Sequence, residues 1–571
     1  MKNIYKIFIV LGIMLVSGAC TERFNEINTK PDSFTQDEVS AKFFLTQPQY
    51  RLIAPDRYPY WRAHLIHMDR YAGHVCFGFN GCWWSDELGY AYSSGYTDAA
   101  WNWLESYIGG LDNFMKMTAV GGEFENQYMY AIGQIIKGYY FQQYTDVFGM
   151  IPYSEATDPD ITLPKFDSQA QIYEGIIAEL DEAMATIGSE TTTGVGVDDV
   201  GENDLFCGGD LQKWKRFANT LKLRVALRAY GAPGETFAEN AITEALAADL
   251  LSTESDNVMM QKDFEISQWA SACYGDVWYN FGLGSNWTLG KTLIDALRNN
   301  NDPRLTKYAQ PAAGGSVTFT YPTGPEADLF AKRVDFICGV LDDAGVTYTR
   351  TDNPDQSVTI DMPENAYYVG QPTRLNGKTY SFAAYQFFSI PTEEVIAAKN
   401  SGTDIRAEVV MTTAEAYFLQ AEAVVKGLAS GGAGVAQNLY QDGIRHAMKL
   451  WGVSDGDIDT FIGSEDMALL NGTEEENLEK IATQRWIVSY TDGFEGFAIV
   501  RDMGYPAELA AGVSDVDIFG LGDINGLYPQ RMRYGNAAAN NNPTNYAAAV
   551  AAQGADIQST PLWWSKTLET K

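Results

Sequence analysis

Aromatic residues are concentrated in two loops of this chain, and these loops hold its most distinctive side chains. Trp and Tyr suit surfaces that must be apolar and still wet, because each ring carries one polar atom. The rings of the first loop, residues 76–96, are Phe77, Phe79, Trp83, Trp84, Tyr90, Tyr92 and Tyr96. The rings of the second loop, residues 264–287, are Trp269, Tyr274, Trp278, Tyr279, Phe281 and Trp287.

Histidines form a weaker candidate site. His64 and His67 lie three residues apart on a predicted helix, with Asp69 near them and His74 beyond. Imidazole and carboxylate groups at this spacing are conceivable metal ligands. Polar positions on a packed helix explain these residues more simply, so we predict no metal site there.

An aspartate repeat, Asp455-x-Asp457-x-Asp459, has the spacing found at the start of a calcium loop. Thr460 stands where such a loop needs its turn glycine, and Asp466 stands where it needs a bidentate glutamate. Acidic charge at the N-terminus of a helix is the better interpretation.

The chain also lacks the local motifs of common enzymes. It has no nucleophile elbow, phosphate loop or HExxH motif. Paired carboxylates prove nothing here, because the chain has 74 acidic residues. We therefore predict no catalytic residues and no cofactor. A helical-toroid glycosidase or polysaccharide lyase stays an alternative, since such enzymes are also helical, exported and lined with aromatic residues.

Composition bounds the class of protein and its partners. With 571 residues, of which 46% are hydrophobic, the chain can bury large cores and is too apolar for disorder. Its formal net charge is -34, whereas phosphate binding needs a basic footprint. The charge therefore argues against nucleic acid and against an anionic membrane surface as partners. It predicts no particular ligand, because a charged surface also serves solubility alone.

The N-terminus has the pattern of an export signal. Two lysines flank the start of a short apolar run, residues 7–16, which is followed by small residues and Cys20. This order is typical of a secretory signal peptide, and the run is too short for a membrane span. The small residues before Cys20 make the site similar to a bacterial lipobox, although Ser17 stands where Leu is usual. We predict a signal peptide over residues 1–19, lipidation of Cys20, and a polar tether over residues 20–37.

Five cysteines remain after Cys20, which is an odd number for an exported protein. At least one thiol must therefore stay free or pair outside the chain. Cys76 and Cys82 bracket a short segment and are candidates for a small loop disulfide. No CxxC pair is present, which argues against structural zinc.

Apolar residues spaced three and four apart predict a mostly α-helical protein. Helix pairs with small residues and aromatic stoppers resemble tetratricopeptide packing, which predicts an α-α superhelix. From about residue 311 to 388, short β-like runs and Gly/Pro turns predict an irregular insertion with a few hairpins. The predicted helices cover residues 59–72, 98–117, 128–144, 168–187, a long stretch from 210, 236–251, 289–299, 392–400, 412–427, 434–451 and 477–490.

One stretch, residues 144–156 (YTDVFGMIPYSEA), joins two of these helices as an elbow. Gly149 can end the first helix, and Pro152 prevents its continuation. By itself the elbow suggests a functional site, with Asp146, Tyr153 and Glu155 as possible site groups.

Several motifs, spread nearly from end to end, resemble those of the SusD/RagB lipoproteins of Bacteroidota. They are the lipobox and residues 24–32 (FNEINTKPD), 144–156 (YTDVFGMIPYSEA), 209–224 (GDLQKWKRFANTLKLR), 301–304 (NDPR), 484–486 (QRW) with 493–495 (GFE), and 504–506 (GYP). The resemblance implies a lipid-anchored outer-membrane protein that faces the cell exterior. It also implies a single α-helical domain over residues 38–571, built on four tetratricopeptide-like helix pairs with a loop-lined ligand site on the other side. Set beside the family, the elbow is expected to fix the turn between its two helices, with Asp146 and Glu155 binding local backbone or neighbouring basic side chains.

Members of that family sit as a lid on a TonB-dependent transporter and deliver oligosaccharides, or peptides in some branches. The resemblance therefore implies an oligosaccharide ligand, a SusC-like transporter as partner, and no enzymatic activity. A peptide ligand stays open. A purely structural helical-repeat adaptor is a third alternative, but it would need no exposed aromatic loops.

Within that implied function, the two aromatic loops are the predicted ligand site. Sugars present apolar C–H faces to rings and hydroxyl groups to Asp, Asn and Gln. One covered ring contributes roughly 1 kcal/mol at about 25 cal/mol per Å², and millimolar binding needs about 4 kcal/mol, so several rings must act together. For each ring the alternative is that it packs its loop onto the scaffold. The predicted ligand-binding residues are Trp83, Trp84, Asp86, Tyr90, Tyr92, Trp269, Tyr274, Trp278, Asn280 and Trp287.

Overall fold

A computed structural model describes residues 39–77, 90–263, 265–266, 270–280, 287–398 and 402–565. The predicted signal peptide, Cys20 and the tether lie outside these residues. The described part is mostly helical, which confirms the predicted fold class. None of the helices in these ranges has the length and apolar character needed to cross a membrane.

The helices and strands are numbered here in chain order. The helices are α1 (Lys42–Ile53), α2 (Arg57–Tyr60), α3 (Ser94–Thr118), α4 (Gln127–Phe148), α5 (Gln169–Ile187), α6 (Leu211–Ala229), α7 (Ala238–Leu246), α8 (Tyr274–Asn280), α9 (Lys291–Arg298), α10 (Leu305–Tyr308), α11 (Ala327–Asp343), α12 (Gly377–Tyr380), α13 (Thr413–Val425), α14 (Gly432–Lys449), α15 (Asp455–Ser464), α16 (Glu474–Val488), α17 (Gly493–Met503), α18 (Ala507–Ala510), α19 (Asn536–Asn541) and α20 (Pro543–Gln553). The strands are β1 (Val75–Phe77), β2 (Val258–Met260), β3 (Trp287–Leu289), β4 (Ala309–Gln310), β5 (Gly315–Thr320), β6 (Thr349–Asn353), β7 (Ser357–Met362), β8 (Ile390–Pro391) and β9 (Glu408–Met411). A π-helix, Trp61–Asp69, continues directly from α2.

Local capping chemistry sets several helix starts. Asp210 accepts hydrogen bonds from two backbone N–H groups in the first turn of α6, and Ser168 forms a capping box with Gln171 at α5. Both arrangements satisfy N–H groups that would otherwise lack a partner. Asp455 and Asp457 lie in the first turn of α15, which confirms helix N-terminal charge as the explanation of the aspartate repeat.

Consecutive helices pack against one another to build the scaffold. α4 packs on α5, α5 on α6 and α6 on α7, and later α13 packs on α14 and α16. α6 also contacts α13, and α4 contacts α17, so early and late helices share one core. Small residues permit the close approach: a Cβ atom at Gly138 would lie only 3.2 Å from Leu180 Cδ2. The helix pairs therefore follow the predicted tetratricopeptide-like arrangement.

A buried ion-pair network holds the elbow at residues 144–156. Asp146 pairs with Arg228 at 2.6 Å, and Arg228 also pairs with Glu495 at 2.5 Å. Glu155 accepts the backbone N–H of Lys165 at 2.9 Å. Both acidic residues of the elbow therefore bind the scaffold, as expected.

The region predicted as an insertion has an apolar core of its own. β5, β7 and β6 form an antiparallel sheet in that order. The prediction of an irregular segment is wrong for residues 327–343, which form the helix α11. Phe330, Val334, Ile337 and Leu341 are three and four residues apart and are buried, so the helical signal was present. The Gly/Pro turns and short β-like runs on either side obscured it.

A helix predicted over residues 392–400 is also wrong. Residues 393–396 form turns instead. β8 pairs with β4 immediately before them, and the Thr392 hydroxyl donates to the carbonyl oxygen of Lys307 at 2.9 Å. Tertiary contacts therefore hold this backbone in a conformation that local propensity alone did not indicate.

Candidate ligand site at the aromatic loops

The two aromatic loops leave the scaffold at one short ribbon. β1 pairs antiparallel with β3, with Phe77 opposite Trp287 and Val75 opposite Leu289. Because the strands run in opposite directions, the end of β1 lies beside the start of β3. The residues that follow Phe77 and those that precede Trp287 therefore start from adjacent points of the molecule.

Several predicted site residues lie outside the described residues. These are Trp83, Trp84, Asp86, Trp269 and the side chain of Asn280, and their roles stay predictions. The disulfide considered between Cys76 and Cys82 also stays a prediction, because Cys82 lies outside the described part.

Three predicted ligand-binding rings are buried. Tyr90 is 3% exposed and donates its hydroxyl to the carbonyl oxygen of Arg70 at 3.0 Å. Tyr274 is 6% exposed and donates to Asp69 Oδ2 at 3.0 Å, and Trp287 is 1% exposed. A ring without an open face cannot stack on a sugar. These three residues therefore pack the loops onto the scaffold instead of contacting a ligand. Both tyrosines find buried hydrogen-bond acceptors there.

Trp278 and Tyr92 keep partly exposed rings. Trp278 lies on α8 and makes an edge-to-face contact with Trp287, with ring centroids 5.5 Å apart. The guanidinium carbon of Arg533 lies 3.8 Å from the ring centroid of Tyr92, whose hydroxyl donates to Asn536 Oδ1 at 3.3 Å. Of the predicted set, these are the two described rings that a ligand can contact.

The structure adds Tyr58 and Arg62 to the candidate site: sequence reasoning assigned no role to Tyr58 and placed Arg62 within a predicted helix. Tyr58 is 55% exposed, and the guanidinium carbon of Arg62 lies 5.3 Å from its ring centroid. Arg62 also lies 5.1 Å from the ring of Tyr96, which makes an edge-to-face contact with Trp61. Arg62 belongs to the π-helix, and π-helical turns are frequent at functional sites. An apolar periodicity search does not find such residues, because they face solvent.

An ion pair joins the two sides of the candidate site. Arg57 on α2 pairs with Asp276 on α8, and the second bond of the pair, from Nη2 to Oδ1, measures 2.9 Å. The hydrogen bond from Asp276 raises the pKa of Arg57. Since α2 carries Tyr58 and α8 carries Trp278, this pair fixes the two rings relative to each other.

Two buried titratable groups, His64 and Asp69, belong to the π-helix that follows Tyr58. Burial lowers the pKa of His64 to about 3, with a smaller effect from the charge of Lys262, and the ring stacks on Tyr60 at 4.5 Å. Burial raises the pKa of Asp69 to about 7. The nearby cavity lined by Tyr274 has a volume of about 10 Å³, whereas ligand pockets measure roughly 300–1,000 Å³. Within the described ranges, no cluster of three His, Cys, Asp or Glu residues is placed to hold a metal ion.

The profile of one protein family matches most of the chain. The family is SusD-like, described as starch-binding and associating with the outer membrane, and the match covers residues 35–327 and 355–534. The chain therefore belongs to the SusD-like family, which confirms the resemblance drawn from its motifs.

Solved structures of similar proteins share the fold. A chitin-binding protein is 23% identical with a TM-score of 0.69, and the match covers 92% of this chain and 100% of that one. A SusD-like protein of Bacteroides thetaiotaomicron is 22% identical with a TM-score of 0.67, covering 92% and 98%. A SusD homologue of Bacteroides uniformis is 22% identical with a TM-score of 0.68, covering 94% and 100%. At these identities the likeness establishes the fold and no more. No curated protein sequence matches the chain.

Proposed function

We propose that this chain is a cell-surface lipoprotein that binds an oligosaccharide at its aromatic loops and passes it to a SusC-like TonB-dependent transporter. The observation that carries the proposal is the pairing of β1 with β3. This pairing brings together the ends of two aromatic loops that are distant in sequence, which supports one shared ligand site.

The energetics of sugar binding favour such a joint site. Each ring covered by a sugar contributes roughly 1 kcal/mol, so several rings must act together. Tyr58, Tyr92 and Trp278 are partly or mostly exposed on three different segments around the ribbon. Trp83 and Trp84, adjacent in the first loop, are proposed to add two further rings.

The comparisons support a saccharide as the ligand class. The family is described as starch-binding, and one protein of the same fold is described as chitin-binding. Both descriptions concern polysaccharides with different linkages and substituents. They favour an oligosaccharide over a peptide and leave the particular sugar to experiment.

The proposed cellular position follows from Cys20. Two or more acyl chains on this residue would give stable anchoring, and residues 20–37 would link the anchor to the folded domain. The transporter partner is proposed from family membership, since the family is described as associating with the outer membrane.

A glycosidase or lyase is the less favoured alternative. Two buried carboxylates of the scaffold, Glu415 and Glu495, are engaged with Arg224 and Arg228. A carboxylate locked to an arginine is a poor general acid, because the cation stabilises the deprotonated form. We therefore propose binding without turnover.

Calorimetric titration of the mature lipoprotein in detergent tests the proposal. Malto-oligosaccharide, chito-oligosaccharide, acidic oligosaccharides and a pool of short peptides serve as probes. We expect heat of binding with at least one saccharide and no shortening of that saccharide on prolonged incubation. Tyr58→Ala should weaken binding, while the remote exposed change Arg445→Gln should leave it unaltered.

Two outcomes would contradict the proposal. Binding of peptides and of no saccharide would make a peptide, not an oligosaccharide, the ligand. Turnover of a saccharide that a carboxylate variant abolishes would make the protein an enzyme. The partner is tested separately: the lipoprotein should co-purify with a large outer-membrane barrel, and isolation as a lone monomer in mild detergent would count against the transporter.

A further inference from the structure

Two arginines beside the first aromatic loop, Arg62 and Arg533, lie against tyrosine rings. Among the described residues, neither guanidinium group has a hydrogen-bond acceptor. Arg62 lies within 5.1–5.7 Å of the ring centroids of Tyr58, Trp61 and Tyr96. Its Nε atom is buried and has no hydrogen-bond partner. Among the residues that the structure describes, no carboxylate or carbonyl oxygen binds its guanidinium group.

Arg533 repeats this arrangement on the neighbouring tyrosine. Its guanidinium carbon lies 3.8 Å from the ring centroid of Tyr92, and its Nε atom is also buried without a partner. Over the same described ranges, neither a carboxylate nor a carbonyl group accepts from it. The aromatic faces hold the cation in place but satisfy none of its in-plane donors.

Such arginines are exceptional in this protein. The chain has 74 acidic and 40 basic residues, so carboxylates are plentiful. Every other arginine that is at least partly buried in the described residues binds a carboxylate or a carbonyl oxygen; these are Arg57, Arg70, Arg216, Arg224, Arg228, Arg298, Arg304, Arg333, Arg350, Arg374, Arg406, Arg445, Arg485, Arg501 and Arg531.

Arg62 and Arg533 both lie against rings of one short segment of the chain, residues 92–96. Tyr92 and Tyr96 are four residues apart where the first aromatic loop leads into α3. Four residues span at most about 14 Å, so the two rings that hold the arginines belong to a single stretch of the site. Two cations with open donors therefore stand at the edge where the ligand is proposed to bind.

We propose that Arg62 and Arg533 bind an anionic group of the ligand, so that the preferred oligosaccharide is acidic, bearing carboxylate or sulfate. This inference rests on the proposed function and narrows its ligand class. The guanidinium fork presents paired N–H donors that match a carboxylate or sulfate, and stacking on the rings fixes the fork in advance. The Nε atoms of both arginines are buried, so the Nη groups are the donors proposed to reach the anion.

Two carboxylates beside Tyr92 are engaged with backbone donors: Asp523 Oδ2 accepts the N–H of Tyr92 at 2.5 Å, and Asp98 Oδ1 accepts that of Asn536 at 3.1 Å. The more distant negative charge of the protein opposes anion binding less. Charges separated by more than about 8 Å are largely screened at physiological ionic strength. The arginines act within hydrogen-bond distance, where a charge-assisted bond is stronger than a neutral one. The acidic remainder of the surface instead keeps anions from binding elsewhere.

The test compares three oligosaccharide probes of equal length by calorimetry: oligogalacturonate as the carboxylate, a sulfated galactan oligosaccharide as the sulfate, and a neutral galacto-oligosaccharide. We expect the wild-type protein to bind one acidic probe at least about tenfold more tightly than the neutral probe. Arg62→Gln and Arg533→Gln should each reduce that preference, by about tenfold for the more important residue. Arg62→Lys should recover only part of it, because an ammonium group lacks the planar fork.

Arg445→Gln is the matched control, since it removes an arginine whose partner, Asp459, lies on α15, away from the aromatic loops. It should leave the preference unchanged. The two acidic probes distinguish carboxylate from sulfate recognition. Melting temperatures of all variants separate a structural role from a binding role.

Several results would overturn the inference. Equal or tighter binding of the neutral probe by the wild-type protein would overturn it and leave the proposed function intact. A lower melting temperature for Arg62→Gln and Arg533→Gln with unchanged preference would show that both arginines only pack the loop. Binding of none of the three probes would overturn the inference, and the proposed function would fall only if malto- and chito-oligosaccharides also failed to bind.

Discussion

The Cα atom of Phe77 pairs with that of Trp287 across the antiparallel ribbon of β1 and β3. This pair joins two parts of the chain that no local sequence signal connects. The described rings of the two loops are of two kinds. Tyr90, Tyr274 and Trp287 are buried and pack the loops onto the scaffold, whereas Tyr92 and Trp278 remain partly exposed.

Trp287 is predicted to stabilise the fold rather than to contact a ligand. Its ring is 1% exposed and packs against Tyr274 and Trp278. Trp287→Ala should reduce the free energy of unfolding by about 3–5 kcal/mol, because it removes a large buried ring and leaves a cavity. Chemical denaturation measures the loss, and Tyr58→Ala, which truncates an exposed ring, should cost less than about 0.5 kcal/mol. Similar losses for the two variants would contradict this division.

Trp83 and Trp84 are predicted to contact the ligand. Adjacent loop residues rarely both face inward, so at least one ring should be accessible. Replacing both by Ala should weaken saccharide binding by about 30-fold, which corresponds to roughly 1 kcal/mol per ring. The melting temperature should change little. A large drop in melting temperature with unchanged affinity would instead identify both rings as core residues.

Arg228 is predicted to be a major contributor to stability through the elbow. It neutralises both Asp146 and Glu495 in the core. Burial raises the pKa of Glu495, but the charges of Arg224, Arg228 and Arg485 outweigh this effect and lower it overall. Arg228→Met should cost about 3–5 kcal/mol, since it leaves buried carboxylates without their cation.

A second substitution distinguishes charge from packing at this position. Adding Asp146→Asn to Arg228→Met removes one uncompensated charge and should recover part of the loss in chemical denaturation. The exposed pair of Arg445 with Asp459 provides the reference, and Arg445→Gln should cost no more than about 1 kcal/mol. No recovery in the double variant would mean that lost packing, not charge, dominates.

Gly149 is predicted to be essential at the elbow for two physical reasons. Its φ angle is 86°, and a Cβ atom there would lie 1.9 Å from Gln553 Oε1. That oxygen accepts the backbone N–H of Met150 at 2.6 Å, so it cannot move away without losing the bond. Gly149→Ala should therefore cost more than the roughly 1–3 kcal/mol expected from backbone strain alone.

Gly188 provides the comparison for Gly149, because it also has a positive φ angle, 53°, but a Cβ atom there would meet only the carbonyl oxygen of Ala185 at 3.7 Å, an ordinary van der Waals contact. Gly188→Ala should show backbone strain without the clash, and its melting temperature should lie between those of the wild type and Gly149→Ala. Equal melting temperatures for the two variants would rule out a contribution from Gln553.

Asp69 is predicted to make stability depend on pH. Burial raises its pKa to about 7, against an ordinary value near 3.8. The folded protein therefore holds a proton that the unfolded chain releases. The contribution of this proton to the free energy of unfolding is complete below about pH 4 and is lost as pH rises through 7. Stability should fall between pH 5 and pH 8, by on the order of 1–4 kcal/mol from this residue.

Asp69→Asn keeps an acceptor for the Tyr274 hydroxyl and cannot ionise, so its unfolding free energy should vary less over that pH range. Asp492 has a pKa raised to about 8 by burial, so some dependence should remain. The exposed substitution Asp459→Asn is the control. An unchanged pH profile in Asp69→Asn would show that Asp69 does not carry the effect.

Much of the scaffold was predictable because its determinants are local. The apolar stripe of α5 and the N-cap at Asp210 lie within a few residues of the structure that they specify. The same holds for the elbow, where Gly149 ends α4 within its own turn. Local signals failed at α11, where the turns and β-like runs on either side obscured a helical pattern. They also failed after β8, where pairing with the distant strand β4 keeps the backbone from forming the predicted helix.

The site was less predictable, because exposure is not a property of a residue type. Tyr90 and Tyr58 are both tyrosines in aromatic surroundings, yet one is 3% and the other 55% exposed. A distant part of the chain decides between them: Tyr90 finds a buried acceptor at Arg70, whereas Tyr58 stands on α2 with its ring in solvent.

The sequence by itself determined the helical class, the family and the two aromatic loops, since these depend on periodicity, motif spacing and composition. Only the tertiary structure decided that Val75–Phe77 pairs with Trp287–Leu289 and that Arg57 joins Asp276 across the site. It also decided that no described residue accepts a hydrogen bond from the guanidinium group of Arg62 or Arg533. Each of these relationships joins residues through the folded core or across its surface. Such contacts depend on the packing of the whole chain, which no local pattern encodes.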